Sequence, residues 1–326
     1  MCGIVGYIGH NTDGREYFAL DVVLEGLRRL EYRGYDSAGV AMYADGKIGW
    51  RKKAGKVAAL EAEIAARPLQ DSVLGIGHTR WATHGGPTDL NAHPHVVDGG
   101  KLAVVHNGII ENFAELKTEL EAKGHNPISG DFSLLAKGYA FQSETDTEVA
   151  ATLLADVFHN EAGGDLTKAM QLTGKRLEGA FTLLAIHAEQ ADRIVAARRD
   201  SPLVIGLGEG ENFLGSDVSG FIDYTKSAVE MDNDQVVTIT ADDVEITDYD
   251  GNPAQGKPFE IKWDAAAAEK GGFNSFMEKE IHDQPAAVRD TLLGRLDETG
   301  NLVLDEIRIE ESVLKSIDKI IVIACG

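Results

Sequence analysis

Cys2-Gly3-Ile4-Val5-Gly6 stands at the head of the chain, directly after Met1. The apolar run over residues 4–8 is short and bounded by glycine, which predicts a β-strand that begins at a cysteine. A small side chain after Met1 favours removal of the initiator, leaving Cys2 with a free α-amine. That amine has a reference pKa of about 7.7–8.0 and the thiol about 8.5. Nucleophile and base would then share one residue, the logic of N-terminal-nucleophile catalysis. The plainer reading is a small hydrophobe at a strand start.

Outward from this strand, residues 39–43, 47–51, 74–78 and 102–106 read as further strands. Leu20, Leu24, Leu27 and Leu30 recur at helical spacing, as do Phe113, Leu116 and Leu120, the latter followed by Gly124 where a C-terminal cap belongs. Thr145-Asp146-Thr147-Glu148 has the capping-box spacing before Val149, Leu153 and Val157, and residues 166–177 form another helical stretch. Strands follow at 180–187, 193–197, 203–207, 213–216 and 235–240. Many short strands with helices in two groups predict an α+β fold with antiparallel sheets, not a βαβ alternation. Near residue 263 the composition shifts. Residues 264–272 are Ala-rich and Gly-ended, like a linker, and 276–293 read as a helix. The apolar run at 319–326 has the pattern of a buried parallel strand, so the chain is expected to be a piece of a longer protein. The predicted domains are 1–262 and 263–326.

At about 100–200 residues per domain, 326 residues suit about two domains. A formal charge of -22 repels polyphosphate backbones and argues against nucleic acid as a partner. No apolar stretch approaches the roughly 18 residues of a membrane span, and the start lacks the basic flank of a secretory signal. Cysteine occurs only at Cys2 and Cys325, which leaves no disulfide framework and predicts a reducing, cytoplasmic setting.

Cys2-Gly3-Ile4-Val5-Gly6 resembles the opening of the class II glutamine amidotransferases. The resemblance continues through Leu30-Glu31-Tyr32-Arg33-Gly34-Tyr35-Asp36-Ser37-Ala38-Gly39, His78-Thr79-Arg80-Trp81-Ala82-Thr83-His84-Gly85 and Asn91-Ala92-His93-Pro94-His95. It resumes at Val105-His106-Asn107-Gly108-Ile109-Ile110-Glu111-Asn112 and Ser143-Glu144-Thr145-Asp146-Thr147-Glu148. Within that family, Ser201-Pro202-Leu203-Val204-Ile205-Gly206 and Met277-Glu278-Lys279-Glu280-Ile281-His282-Asp283-Gln284-Pro285 resemble the branch that aminates fructose 6-phosphate. The resemblance implies a four-layer α/β/β/α sandwich of the N-terminal-nucleophile hydrolase type, followed by the truncated start of an α/β sugar-isomerase domain. It implies L-glutamine as substrate, with fructose 6-phosphate as acceptor and a homodimer only in the full-length enzyme. It implies no cofactor. The alternatives are a glutaminase domain serving another acceptor and a catalytically silent regulatory domain.

The same resemblance makes Cys2 the nucleophile and Asn107 and Gly108 the oxyanion donors. Asn-Gly after a strand is equally the composition of a turn. Arg80 is implied as the carboxylate anchor of glutamine, since a guanidinium grips a carboxylate with two parallel donors. A surface ion pair is its plain alternative. Trp81 reads as the aromatic of a closing loop or as a core residue. Thr83 and His84 line the pocket. Asp146 reads as partner of the substrate ammonium or, from spacing alone, as a helix cap. Arg33 orders the loop near the nucleophile.

Two rival signals are weaker. His78, His84, His93, His95 and His106 cluster in sequence but lack metal-ligand spacing, so no metal is expected. Gly206-Leu207-Gly208-Glu209-Gly210 lacks a following helix and reads as a hairpin turn, not a nucleotide loop. Residues 125–141 are longer than the link the family pattern leads one to expect.

Overall fold

A computed structural model describes residues 2–10, 17–123, 141–262, 273, 276–292, 309–319 and 321. The chain divides into two compact units, Met1–Ala268 and Glu269–Gly326.

The first unit is built on two stacked antiparallel sheets. One has eight strands: β1 (Gly3–Gly9), β2 (Ser37–Ala44), β3 (Lys47–Ala54), β4 (Leu74–Arg80), β9 (Val204–Leu207), β10 (Glu211–Gly215), β11 (Ser227–Glu230) and β14 (Lys257–Glu260). Their spatial order is β14-β11-β9-β10-β1-β4-β2-β3. The other has six: β5 (His95–Val97), β6 (Leu102–Gly108), β7 (Phe181–His187), β8 (Gln190–Arg199), β12 (Gln235–Ile239) and β13 (Val244–Asp248). Their order is β13-β12-β8-β7-β6-β5.

β1 lies inside its sheet, between β10 and β4, which explains why its sequence is apolar on both alternating faces. Ile4 and Ile8 face the other sheet, packing in one core with Ile76, Val105, Leu184 and Ile194. Val5 and Tyr7 face outward into a second core with Val22, Val23, Leu27 and Leu30 of helix α1 (Ala19–Leu30) and Leu60 of α2 (Val57–Ala66). A third core lies on the outer face of the six-stranded sheet. There α3 (Phe113–Lys123), α4 (Asp146–Asn160) and α5 (Leu166–Arg176) bury Leu120, Leu153, Phe158 and Met170. The layers therefore run helix, sheet, sheet, helix: the four-layer α/β/β/α sandwich.

The strong periodic segments form the elements their patterns predict. The helix α2 was not among the expected elements, although Val57, Leu60 and Ile64 make its buried face. Four short strands, β5, β11, β13 and β14, were likewise not expected. Three of them edge their sheets and β11 lies next to an edge, and each has only three to five residues, too few for an alternating pattern to register. Gly208–Gly210 is the turn of the β9–β10 hairpin, with Gly210 at φ 67.

In the second unit the described elements are α6 (Phe276–Leu292) and the short α7 (Glu311–Lys315). Of the expected strand at 319–326, only Lys319 and Ile321 are described, and neither lies in a strand. The rest of that strand, the linker at 264–272, the Gly124 cap and nearly all of 125–141 lie outside the described residues. Among the described residues no helix is long and apolar enough to cross a membrane.

Candidate active site

Cys2 precedes β1 at the end where β4 terminates in Arg80, because Gly3 pairs with Thr79 across the antiparallel ladder. Its Sγ accepts the Trp81 N–H at 3.1 Å and lies 3.6 Å from the Trp81 carbonyl. Burial pushes the thiol pKa up, partly opposed by the Trp81 hydrogen bond. The 34–36 segment lies flat against the end of β4. The Asp36 N–H donates to the Arg80 carbonyl at 3.1 Å, and the Asp36 carboxylate accepts the Ala82 N–H. Gly34 permits this approach, since a Cβ there would fall 2.8 Å from the Arg80 carbonyl carbon.

Asn107 and Gly108 are the last residues of β6, in the opposite sheet. Asn107 Nδ2 donates to the Cys2 carbonyl at 3.0 Å, and its Oδ1 lies 2.9 Å from His78 Nε2. Gly108 has φ 109, and a Cβ there would fall 2.0 Å from the Ala180 carbonyl oxygen. The Asn-Gly pair is thus a strand terminus leading toward α3, not a hairpin turn. The backbone beyond it stays tied to the end of β7, with the Ile109 N–H donating to Ala180 O at 2.8 Å.

Arg80 is buried, not a surface residue. Its Nη1 donates to Gly86 O at 3.2 Å, and Nη2 to Gly85 O at 3.1 Å and to His84 O. A guanidinium has five N–H donors. These contacts leave Nε–H and one Nη1 hydrogen, so a two-pronged grip on a carboxylate requires one carbonyl contact to open. Trp81 is 49% exposed and sets its ring edge-on to Tyr35 at 5.1 Å, which removes the core reading. Thr83 is exposed, and the half-buried His84 ring rests against Phe113. Arg33 pairs with Asp217 at 2.6 Å and reaches the Ser216 carbonyl at 3.4 Å, tying its loop to the end of β10.

Asp146 is buried at the first position of α4, where its Oδ2 accepts the Ile110 N–H at 2.8 Å. It is not the helix cap. Thr145 is, accepting the Glu148 N–H at 3.3 Å. Glu148 turns back past the cap to accept from Ser143 Oγ at 2.6 Å and from the Gln142 and Ser143 N–H groups. Between Asn107 and α4 lies a buried histidine group. The His93 ring lies 4.2 Å from that of His78, tilted by 35°, His95 Nε2 meets Thr145 Oγ1 at 2.9 Å, and His106 Nδ1 meets Thr147 Oγ1 at 2.8 Å. Burial drives the pKa of all four histidines down, that of His78 to about 3, so they stay neutral.

The sequence profile described as a glutamine amidotransferase domain matches residues 65–250, more than half of the chain. The chain belongs to the glutamine amidotransferase domain family. It is similar over its whole length to the glutamine–fructose-6-phosphate aminotransferases (isomerizing) of Corynebacterium efficiens, at 76% identity, and Streptomyces coelicolor, at 56%. It spans 50% and 49% of those relatives, about half their length. Its fold is similar to that of the glutamine phosphoribosylpyrophosphate amidotransferase of B. subtilis, with a TM-score of 0.60 at 23% identity, covering 77% of this chain and 50% of that one.

This glutamine amidotransferase domain brings the site residues expected from the sequence to one end of the sandwich, Arg33 included, since its partners Ser216 and Asp217 follow β10 beside the start of β1. Sequence reasoning did not single out Asp36, His78 or Ser143 as site-shaping residues. All three fall inside the motif stretches, but their partners come only with the fold. Among the described residues, one group brings three metal-ligating atoms together, Asp98, His159 and His187. His187 Nδ1 accepts the Glu189 N–H at 3.2 Å, so its proton sits on Nε2, which donates to Asp98 at 3.1 Å. That nitrogen then has no lone pair for a metal, and the group is a hydrogen-bonded cluster.

Proposed function

We propose that this domain hydrolyses L-glutamine to glutamate and ammonia through a thioester on Cys2. The observation that carries the reading is the convergence of Cys2 with the Asn107 amide, which donates to the Cys2 carbonyl across the two sheets. Burial keeps the thiol protonated at neutral pH, so a base is required. The α-amine exposed by loss of Met1 takes the thiol proton, and the thiolate attacks the side-chain amide carbon. Asn107 has two Nδ2 hydrogens. One engages the Cys2 carbonyl, and the other, with the Gly108 N–H, faces the developing oxyanion. Each such donor is worth about 2.7–4 kcal/mol in the transition state. The amine returns its proton to the leaving nitrogen, ammonia departs, and water hydrolyses the thioester.

In this reading Arg80 anchors the glutamine carboxylate and Asp146 its ammonium, with Thr83 and His84 lining the pocket. Trp81 covers the substrate, and Arg33 steadies the adjoining loop. The ammonia serves fructose 6-phosphate in a longer, homodimeric enzyme that makes glucosamine 6-phosphate for cell-wall precursors. Residues 263–326 are the linker and first part of its sugar-isomerase domain. What supports this is the naming of a relative 76% identical to the chain and about twice its length.

The test is to incubate the chain with glutamine and fructose 6-phosphate and to assay glutamate, ammonia and amino sugar together. Glutamate and ammonia without amino sugar are expected. Absence of glutamate overturns the glutaminase reading, and amino sugar formed in proportion to glutamate overturns the domain assignment.

A further inference from the structure

An asparagine amide can present either its oxygen or its nitrogen to a developing oxyanion, and only one orientation helps. The Cys2 carbonyl can only accept a hydrogen bond, so the Asn107 atom 3.0 Å from it is Nδ2. The Asn107 Oδ1 is thereby turned to His78 Nε2 at 2.9 Å. Two acceptors do not share such a distance, so Nε2 carries the hydrogen. His78 is fully buried, and its other ring nitrogen, Nδ1, is buried without a hydrogen-bond partner, as befits the lone-pair nitrogen of a neutral ring. The His93 ring lies 4.2 Å away, tilted by 35°. His78 belongs to β4 and Asn107 to β6, so this bond crosses from one sheet to the other.

We propose that His78 is a positioning residue for the oxyanion donor: its Nε2–H holds Asn107 Oδ1 and thereby aims Nδ2 at the reacting centre. The proposal rests on the glutaminase reading. Without His78 only the Cys2 carbonyl still holds the amide, and an Oδ1 left without its buried donor lets the side chain rotate away from the geometry in which Nδ2 faces the oxyanion. The substrate anchors are untouched by this rotation, so the loss falls on kcat and not on KM.

The experiment compares His78→Leu, His78→Gln, Asn107→Ala and the double variant His78→Leu/Asn107→Ala in the 326-residue chain, with melting temperatures measured alongside. Asn107→Ala is expected to lower kcat by about 10²–10³-fold, the usual effect of losing one oxyanion donor. His78→Leu is expected to lower kcat about 10- to 100-fold with KM within about twofold, because it misaims that donor without deleting it. His78→Gln, which offers an N–H at similar reach, recovers most of the rate. The double variant is no slower than Asn107→Ala, since one residue acts through the other. A His78→Leu variant with unchanged kcat, or losses that multiply in the double variant, overturns the proposal.

A second measurement does not depend on activity. Ring nitrogen-15 spectra of the wild type should show His78 protonated at Nε2 and not titrating across neutral pH, and a proton on Nδ1 overturns the proposal. A wild type with this tautomer but no glutaminase activity would sink the functional reading and leave the hydrogen bond standing.

Discussion

Asn107 Nδ2 lies 3.0 Å from the carbonyl oxygen of Cys2, although the two residues belong to opposite sheets of the sandwich. The reacting centre is therefore a seam. In the proposed reading the nucleophile leads into β1 and the oxyanion donor ends β6, and the spacing between them is set by the apolar layer around Ile4, Ile76, Val105 and Leu184. Close packing of that layer is what makes a 3 Å contact reproducible between elements so far apart in the chain.

Cys2→Ala should reduce glutamine hydrolysis to background while leaving the melting temperature unchanged, because the residue sits at a strand end outside the apolar cores. Cys2→Ser should be severely impaired, since a hydroxyl is far less ionised than a thiol. In the wild type, kcat/KM should fall as pH drops below about 8, where the α-amine becomes protonated and can no longer accept the thiol proton. An N-terminal extension that prevents removal of Met1 should abolish activity. Steady-state glutaminase rates between pH 5 and 9 check all of these.

Asp146→Asn separates charge from structure. The amide oxygen can still accept the Ile110 N–H, so thermal stability should be nearly unchanged. The charge opposite the substrate ammonium is lost, and KM for glutamine should rise by the equivalent of about 2–5 kcal/mol. Asp146→Ala adds an unpaired buried N–H and should also lower stability by about 1–3 kcal/mol. Normal glutamine binding by Asp146→Asn, measured calorimetrically, would remove the residue from the binding site.

Gly108→Ala should be both unstable and inactive. The backbone at φ 109 disfavours any side chain, and the new Cβ would meet the Ala180 carbonyl oxygen at 2.0 Å. Strain of this kind typically amounts to about 1–3 kcal/mol, before any displacement of the oxyanion N–H is counted. Gly86→Ala is the control, with nothing within 4 Å of the added carbon and ordinary backbone. Paired melting curves and glutaminase rates distinguish the two.

Asp98 offers a pH test away from the active site. Burial pushes its carboxyl pKa up, but hydrogen bonds from His187 and His159 more than offset this and hold it below the ordinary value. A carboxyl depressed on folding stabilises the protein above its unfolded pKa, near 3.9, and that contribution disappears as pH falls through the folded value. Asp98→Asn should thus lower stability by about 1–2 kcal/mol near pH 7 and progressively less as pH falls below the unfolded pKa. Asn suits the position because Asp98 has φ 54, which asparagine tolerates. Destabilisation that does not shrink as the pH is lowered would contradict the charge argument.

Much of this protein is written locally. The apolar run after Cys2, the leucine stripe of α1 and the capping-box spacing at 145–148 are each decided by residues within a turn or two of one another, and the sequence alone was enough to place these elements, though not to tell Thr145 from Asp146 as the cap. The ordered blocks likewise singled out Cys2, Arg80, Asn107, Gly108 and Asp146 as candidates. The chain alone did not determine what those side chains touch. Strand sequence encodes which face is buried, not which residue of the facing sheet will lie opposite. So the His78–Asn107 bond, between positions 29 apart, and the Asn107–Cys2 bond, between positions 105 apart, exist only after the two sheets stack. The same holds for Arg80. Its charge is plain in the sequence, but its partners became the His84, Gly85 and Gly86 carbonyls because the loop after β4 folds back over the guanidinium.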